Sequence, residues 1–185
     1  MRVLLSGFEG FAEVTDNPSW EAAQAVCAKR KDAACVRLPV CYGTAGERLR
    51  EAIARERPEL VIALGVAMTR QKVTPEKLAI NYRYAAIPDN AGFTAQGEAV
   101  CAGGPEAIFC SLPLEDWVRV LSGEGKPVAL SVSAGSYVCN DLYYTLLRAQ
   151  MEYGFKGLFV HVPDPGKVSA GEAAQIICRM AEMAL

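Results

Sequence analysis

The chain has no tight cysteine pair, no apolar run of membrane length, no cluster of basic residues and only one histidine. Each shortage closes a class of function. A structural zinc site draws on Cys-x-x-Cys pairs, and the seven cysteines at 27, 35, 41, 101, 110, 139 and 178 provide none. Their odd number and loose spacing fit reduced thiols in a reducing compartment. Met1-Arg2 leads at once into Val3-Leu4-Leu5-Ser6-Gly7, a strand rather than the longer apolar stretch of a secretory signal, which points to the cytoplasm. No segment approaches the roughly 20 apolar residues that cross a bilayer, so a membrane is not an expected partner. The formal net charge is −2 and the Lys and Arg residues are dispersed, which leaves a nucleic acid no electrostatic footprint.

What is present reads as a packed protein: 51% of the 185 residues are apolar and 22% are charged. A domain of this length typically buries about 70% of its unfolded surface. No repeat, linker or low-complexity tract divides the chain, so residues 1–185 are expected to form one domain. Apolar β-branched runs alternate with helix-period stretches, which gives an α/β fold and, by layer count, a three-layer α/β/α sandwich. The expected order begins with strand Arg2–Gly7, loop Phe8–Pro18, and a helix from a Ser19 cap to about Lys31. Strand Ala34–Val40, helix Gly43–Arg57 and strand Leu60–Val66 follow, the last unbroken in its apolar character and hence central in a sheet. Leu78–Tyr84 reads as a strand, Ile87–Gly92 as a turn-rich loop, and 93–113 as a stretch with room for a short hairpin. Then come helix Leu114–Ser122, buried strand Val128–Val132, helix Asn140–Tyr153 and strand Gly157–Val162. Ser169–Leu185 closes the chain as an amphipathic helix, with Ser169 and Glu172 spaced as a capping box.

The single histidine, His161, ends a strand that Val162-Pro163 stops. In open α/β sheets ligands bind beyond the carboxyl ends of parallel strands, so a residue there is placed to act. The competing reading is a core histidine held by hydrogen bonds. Cys139 occupies a comparable place. Val128–Val132 runs into Ser133-Ala134-Gly135-Ser136, whose small residues permit a sharp strand-to-helix turn. The thiol then lies at a helix N-terminus, where unpaired N–H groups and the macrodipole favour a thiolate and lower its pKa. The same N–H groups are available to an oxyanion. A buried small hydrophobe is the plain alternative, and position is what separates Cys139 from the other six. A thiol–imidazole pair also needs a group that fixes the imidazole tautomer. Glu76, in the loop after the central strand, is the candidate by context, although spacing alone does not bring it to His161.

Five stretches carry a resemblance. They are Leu5-Ser6-Gly7-Phe8-Glu9-Gly10-Phe11 with Asn17-Pro18-Ser19-Trp20-Glu21-Ala22; Thr74-Pro75-Glu76-Lys77-Leu78-Ala79-Ile80-Asn81; Ile87-Pro88-Asp89-Asn90; Ser131-Val132-Ser133-Ala134-Gly135-Ser136-Tyr137-Val138-Cys139-Asn140; and Phe159-Val160-His161-Val162-Pro163. In this order, across nearly the whole chain, they resemble the blocks of the pyroglutamyl peptidase I family, the pyrrolidone-carboxylate peptidases. The resemblance implies a cysteine exopeptidase that removes an N-terminal pyroglutamyl residue from peptides through a thioester, without cofactor or metal. It puts the nucleophile on Cys139, the base on His161 and the orienting carboxylate on Glu76. It implies that Phe8 and Phe11 enclose the flat, uncharged pyrrolidone ring, and that Asn17, Ile87, Tyr137 and Val138 line the same pocket. It further implies a twisted, largely parallel or mixed central sheet, and a homo-oligomer, often a tetramer.

The chain departs from the family pattern at several places. Ala86 stands where an arginine that helps polarise the site is usual; Arg83 is near, but three residues away along a strand it should face the opposite side, and Arg70 is the other candidate substitute. Met68 makes the segment Gly65–Arg70 bulkier, Gly10 replaces a proline, and Pro163-Asp164-Pro165-Gly166 replaces a longer tail. Three alternatives stand beside the peptidase. A cysteine amidase would act on another small acyl-amide. A nucleoside-phosphorylase-like protein would need a glycine-rich phosphate loop, which the chain does not display. A catalytically weak relative would serve as a binding protein.

Overall fold

The computed structural model describes residues 2–11 and 15–185; Met1 and residues 12–14 of the loop expected over Phe8–Pro18 lie outside the described residues. The first strand, β1 (Val3–Phe8), is buried along its length, which its apolar and small side chains allow. It lies parallel to β2 (Ala33–Leu38) on one side and β3 (Leu60–Val66) on the other. The last strand, β9 (Lys156–Val162), pairs parallel with β3, and a short antiparallel strand, β4 (Thr74–Pro75), adds to its far side. The sheet order is therefore β2-β1-β3-β9-β4, with β3 in the middle as its continuous apolar run requires.

Helices cover both faces. On one side α1 (Pro18–Lys29) packs against the closing helix α5 (Ala170–Ala184). On the other, α2 (Thr44–Glu56) packs against α4 (Val138–Tyr153), which also lies on β9. This is the three-layer α/β/α arrangement, with a mixed, mostly parallel sheet. A further helix, α3 (Leu114–Gly123), contacts α5. The Ser169 side chain accepts the Glu172 N–H at the start of α5, as the capping spacing predicts.

Several boundaries differ from expectation for identifiable reasons. Asn17, not Ser19, caps α1: its Oδ1 accepts the Ser19 N–H at 3.1 Å and the Ser19 hydroxyl at 2.8 Å. Pro18 takes the first helical position, where its missing N–H costs nothing. The strand expected over Leu78–Tyr84 breaks after Ile80, giving β5 (Leu78–Ile80) and β6 (Arg83–Tyr84) in separate two-stranded sheets. The stretch 93–113 does not pair with itself as a hairpin. Its strands β7 (Gln96–Glu98) and β8 (Ala107–Phe109) pair with β6 and β5 instead. Val128–Val132 is not a buried strand but an edge held by two isolated bridges, Val73 with Val128 and Glu76 with Ser131. Pro75 has no N–H to continue that ladder, and Val132 is 64% exposed.

Candidate active site

The site gathers at the carboxyl ends of β1, β3 and β9, facing the first turn of α4. Gly135, at φ 81, turns the chain through a left-handed conformation before Tyr137, in extended backbone, caps α4. Cys139 is the second helical residue. The N–H groups of Asn140 and Asp141 donate to the Tyr137 carbonyl at 3.0 and 3.2 Å. That leaves the N–H groups of Val138 and Cys139 as the pair at the helix end not engaged with that carbonyl.

This helix end is held by the two polar residues that follow the cysteine. The Asn140 side chain is buried; its Oδ1 accepts the Ile80 N–H at 2.9 Å, and its Nδ2 donates to the Ile80 and Tyr82 carbonyls at 2.9 and 3.0 Å. These bonds are also why the strand expected over Leu78–Tyr84 breaks where it does. Asp141, fully buried, takes Arg83 Nε at 2.5 Å and the Gly43 N–H at 2.8 Å. Arg83 is thereby committed to Asp141 and does not replace the arginine absent at Ala86.

Gly65 of β3 lies in register with His161 of β9. A Cβ built on Gly65 falls 2.9 Å from Cys139 Sγ and 2.8 Å from Phe159 Cζ. Paired residues of parallel strands project to the same face, and strands are about 4.8 Å apart. The sulfur and the imidazole therefore lie on one face of the sheet, over neighbouring strands. Among the described residues Sγ makes no hydrogen bond; contacts of this kind commonly tighten only around the substrate.

Glu76 comes to His161 because β4 runs beside β9, with Thr74 in register with His161 and the Glu76 N–H donating to the Phe159 carbonyl at 2.9 Å. His161 Nδ1 meets Glu76 Oε1 at 2.7 Å, across 85 residues of sequence. The same oxygen receives Arg70 Nη1 at 2.5 Å, and Arg70 also donates to Thr74 Oγ1 and, at 3.0 Å, to the Ser133 carbonyl. Glu76 is fully buried, and its Oε2 has no hydrogen-bond partner among the described residues.

Burial sets the protonation states. It pushes the Cys139 thiol up to about 12, the Glu76 carboxylate adding to the rise and the Arg70 guanidinium opposing it. The direction is opposite to the lowering expected from the helix end alone. Burial also holds His161 below its ordinary 6.5, against the pull of its hydrogen bond to Glu76. The resting site is a neutral thiol beside a neutral imidazole, which donates Nδ1–H to the carboxylate and leaves Nε2 to accept a proton.

A cavity of about 140 Å³ opens beside the sulfur, lined by Phe8, Phe11, Asn17, Val40, Val66, Tyr137, Val138 and Cys139. The Phe11 and Tyr137 rings lie 5.5 Å apart at 54°, and Tyr137 Oη donates to the Pro88 carbonyl at 2.9 Å. Five of the six pocket residues named from the resemblance meet here. Ile87 does not line the cavity: it is half exposed on a loop that Tyr137 holds at Pro88 and Ser136 holds at Tyr84. The larger open groove bounded by Arg2, Lys31, Asp32 and Glu56 carries mixed charge and no nucleophile. Among the described residues no group of three His, Cys, Asp or Glu side chains is arranged to hold a metal, and no helix is long and apolar enough to cross a membrane.

Sequence reasoning passed over Gly65 and Asn140, and Arg70 was singled out only as a stand-in for the arginine missing at Ala86. A polar Asn-Asp pair at the buried start of a helix was the available signal for the second; nothing local marks the first.

Comparison with known proteins gives a consistent result. The family model described as pyroglutamyl peptidase matches residues 1–181. A pyrrolidone-carboxylate peptidase of Saccharolobus islandicus is 42% identical over 166 residues, spanning 88% of this chain and 79% of that protein. One from Bacillus velezensis is 38% identical over 167 residues, spanning 88% and 78%. The crystal structure of Bacillus amyloliquefaciens pyroglutamyl peptidase I superposes with a TM-score of 0.90 at 34% identity, covering 99% of this chain and 96% of that one. A mutant pyrrolidone carboxyl peptidase from the hyperthermophile Pyrococcus furiosus gives 0.90 at 30% identity, covering 100% and 98%.

Proposed function

Because this chain belongs to the pyroglutamyl peptidase family, we propose that it removes N-terminal pyroglutamyl residues from peptides with Cys139 as nucleophile, His161 as base and Glu76 as orienting carboxylate. It is a cysteine-type peptidase, and its chemistry runs from the neutral pair. The thiol proton passes to His161 Nε2 as Sγ attacks the carbonyl joining pyroglutamate to the next residue. Nδ1–H remains on Glu76, which stabilises the imidazolium as it forms. The N–H groups of Val138 and Cys139 receive the oxyanion, a contribution of about 3–4 kcal/mol per donor in comparable sites. His161 then protonates the leaving amine, and water releases pyroglutamate from the thioester.

The cavity suits the acyl group. A flat, uncharged ring fits between Phe8, Phe11 and Tyr137, which offer aromatic surface and little charge. Asn17 spends Oδ1 on Ser19 and one N–H on the Glu9 carbonyl at 2.9 Å, so its second N–H is available to a lactam oxygen. The observation that carries the reading is the convergence of Cys139, a tautomer-fixed His161 and this small apolar cavity at the carboxyl end of the sheet. Hydrolysis of a pyroglutamyl-aminocoumarin beside a panel of other acyl-aminocoumarins tests it. Fastest turnover is expected for the pyroglutamyl compound, and faster release of another acyl group would transfer the assignment to a cysteine amidase.

The reading extends to residues 1–185 as one catalytic domain acting in the cytoplasm, which the seven unpaired thiols support. A homo-oligomer, a tetramer by analogy with the family, is supported by exposed apolar side chains such as Phe109 and Val132. Light scattering on the purified protein checks that assembly.

A further inference from the structure

A buried carboxylate that keeps its charge needs a compensating partner, and Glu76 has few. Its Oε2 is unpartnered among the described residues, so compensation falls on Oε1, shared between His161 at 2.7 Å and Arg70 at 2.5 Å. With His161 neutral, Arg70 is the only cation in contact with that carboxylate among the described residues. Without it, a buried carboxylate would face the imidazole with no cation to compensate it, an arrangement that is costly and free to shift. Arg70 is itself well held, by Thr74 Oγ1 and by the Ser133 carbonyl in the turn that leads to Cys139. One side chain thus spans the base's carboxylate and the backbone that presents the nucleophile.

We propose that Arg70 is a positioning residue of this site, holding the Glu76 carboxylate against His161 and tying it through Ser133 to the turn that carries Cys139. The proposal rests on the peptidase reading above and adds a residue to it. Charge balance gives the reason for a cation at this place. When thiolate and imidazolium coexist, Cys139, His161, Glu76 and Arg70 sum to zero. Removing Arg70 leaves a net negative site in which an oxyanion must then form.

Other charged or titratable groups near His161 do not supply this charge. Cys139 faces it from α4, and Tyr143, also from α4, donates Oη to the Glu76 main-chain carbonyl at 2.7 Å. Burial holds the Tyr143 hydroxyl well above its ordinary range, so it stays neutral. On the segment after β9, Lys167 donates to the Met68 carbonyl at 3.1 Å, and Asp164 accepts the Gly166 N–H. The Arg70 charge pulls both the thiol and the imidazole toward lower pKa.

The test uses Arg70→Met and Arg70→Lys in the full chain, with kcat and KM measured on pyroglutamyl-aminocoumarin across the acid and neutral range. Arg70→Met is expected to lose roughly tenfold to a hundredfold in kcat, with KM little changed. Its acid limb is expected at higher pH, because His161 keeps Glu76 beside it without the opposing cation. Arg70→Lys keeps the charge, so its limb stays in place and part of the rate returns. An acid limb that is unmoved or shifted to lower pH in Arg70→Met, or a parental kcat, overturns the proposal. If the parent itself does not cleave the substrate, the functional reading fails, and a substrate-free measurement still decides the role of Arg70. Iodoacetamide alkylation of Cys139, read by peptide mass spectrometry, should accelerate at higher pH in Arg70→Met than in the parent; an identical profile overturns the proposal.

Discussion

A methyl group on Gly65 is the smallest change that tests where the nucleophile sits. The added Cβ would fall 2.9 Å from Cys139 Sγ and 2.8 Å from Phe159 Cζ. Carbon contacts relax at about 3.5–4.0 Å, so each neighbour must retreat by more than about half an ångström. Phe159 is fully buried, with its ring 5.6 Å from Tyr143 and 4.9 Å from His161, and has nowhere to swing. The displacement therefore falls on the sulfur, or on the strand that also registers His161. Overpacking of this kind costs about 1–3 kcal/mol. For a chain of this size that lowers Tm by about 2–4 °C per kcal/mol. A misplacement of about 1 Å in reacting atoms costs on the order of a hundredfold in rate. Gly65→Ala is thus expected to lose about tenfold to a hundredfold in kcat/KM on pyroglutamyl-aminocoumarin, with a Tm drop of a few degrees. Gly46→Ala is the control: its Cβ meets the end of the Thr145 side chain at 2.9 Å, on the α2–α4 contact. Whatever it does to stability, it should leave the rate alone. A Gly65→Ala enzyme with parental kcat/KM would refute the placement of the sulfur over β3.

Three further outcomes follow from the same geometry. Only neutral imidazole accepts the thiol proton, and burial holds His161 below 6.5, so kcat/KM should fall with decreasing pH through a limb lying below 6.5. The Cys139 thiol, raised to about 12, should add no alkaline limb before that pH; a limb at or above 6.5 on the acid side contradicts the resting neutral pair. Asn140→Leu strands the Ile80 N–H and the Ile80 and Tyr82 carbonyls, each costing about 1–3 kcal/mol if left buried and unpaired. Its Tm and kcat should both fall, and an unchanged kcat in a folded variant would separate this clamp from the nucleophile. Arg83→Met leaves Asp141 buried without its cation, at a cost of about 3–5 kcal/mol. Adding Asp141→Asn should recover much of that stability in chemical denaturation, and no recovery would mean that the ion pair is not what Arg83 supplies.

Much of this was readable in the residues, and the remainder was not for physical reasons. Leu60–Val66 declared itself a central strand because a strand covered on both faces has no reason to alternate. Cys139 was found by the turn before it, since small residues and a glycine at 135 mark where a chain can reverse into a helix. The cap at Asn17 was assigned two residues late because Ser19 is an equally good capping type, and only Pro18 between them decides. The break after Ile80 was hidden because its cause, the Asn140 amide, lies 60 residues away. The contact of Glu76 with His161 spans 85 residues and rests on a two-residue strand, too short to leave a periodic signal. Resemblance supplied that pairing, and local pattern did not. The expected low thiol pKa failed for a related reason. A helix terminus is visible in sequence, but the burial that raises the thiol comes from distant segments such as β3, whose Gly65 lies against the sulfur.

The most direct test is to catch the acyl group on the protein. An activated pyroglutamyl ester, mixed with the enzyme and quenched in acid, should leave one pyroglutamyl group on the peptide containing Cys139, removable by hydroxylamine as a thioester. Labelling of any other residue at that stage, or labelling undiminished in Cys139→Ala, would contradict the account.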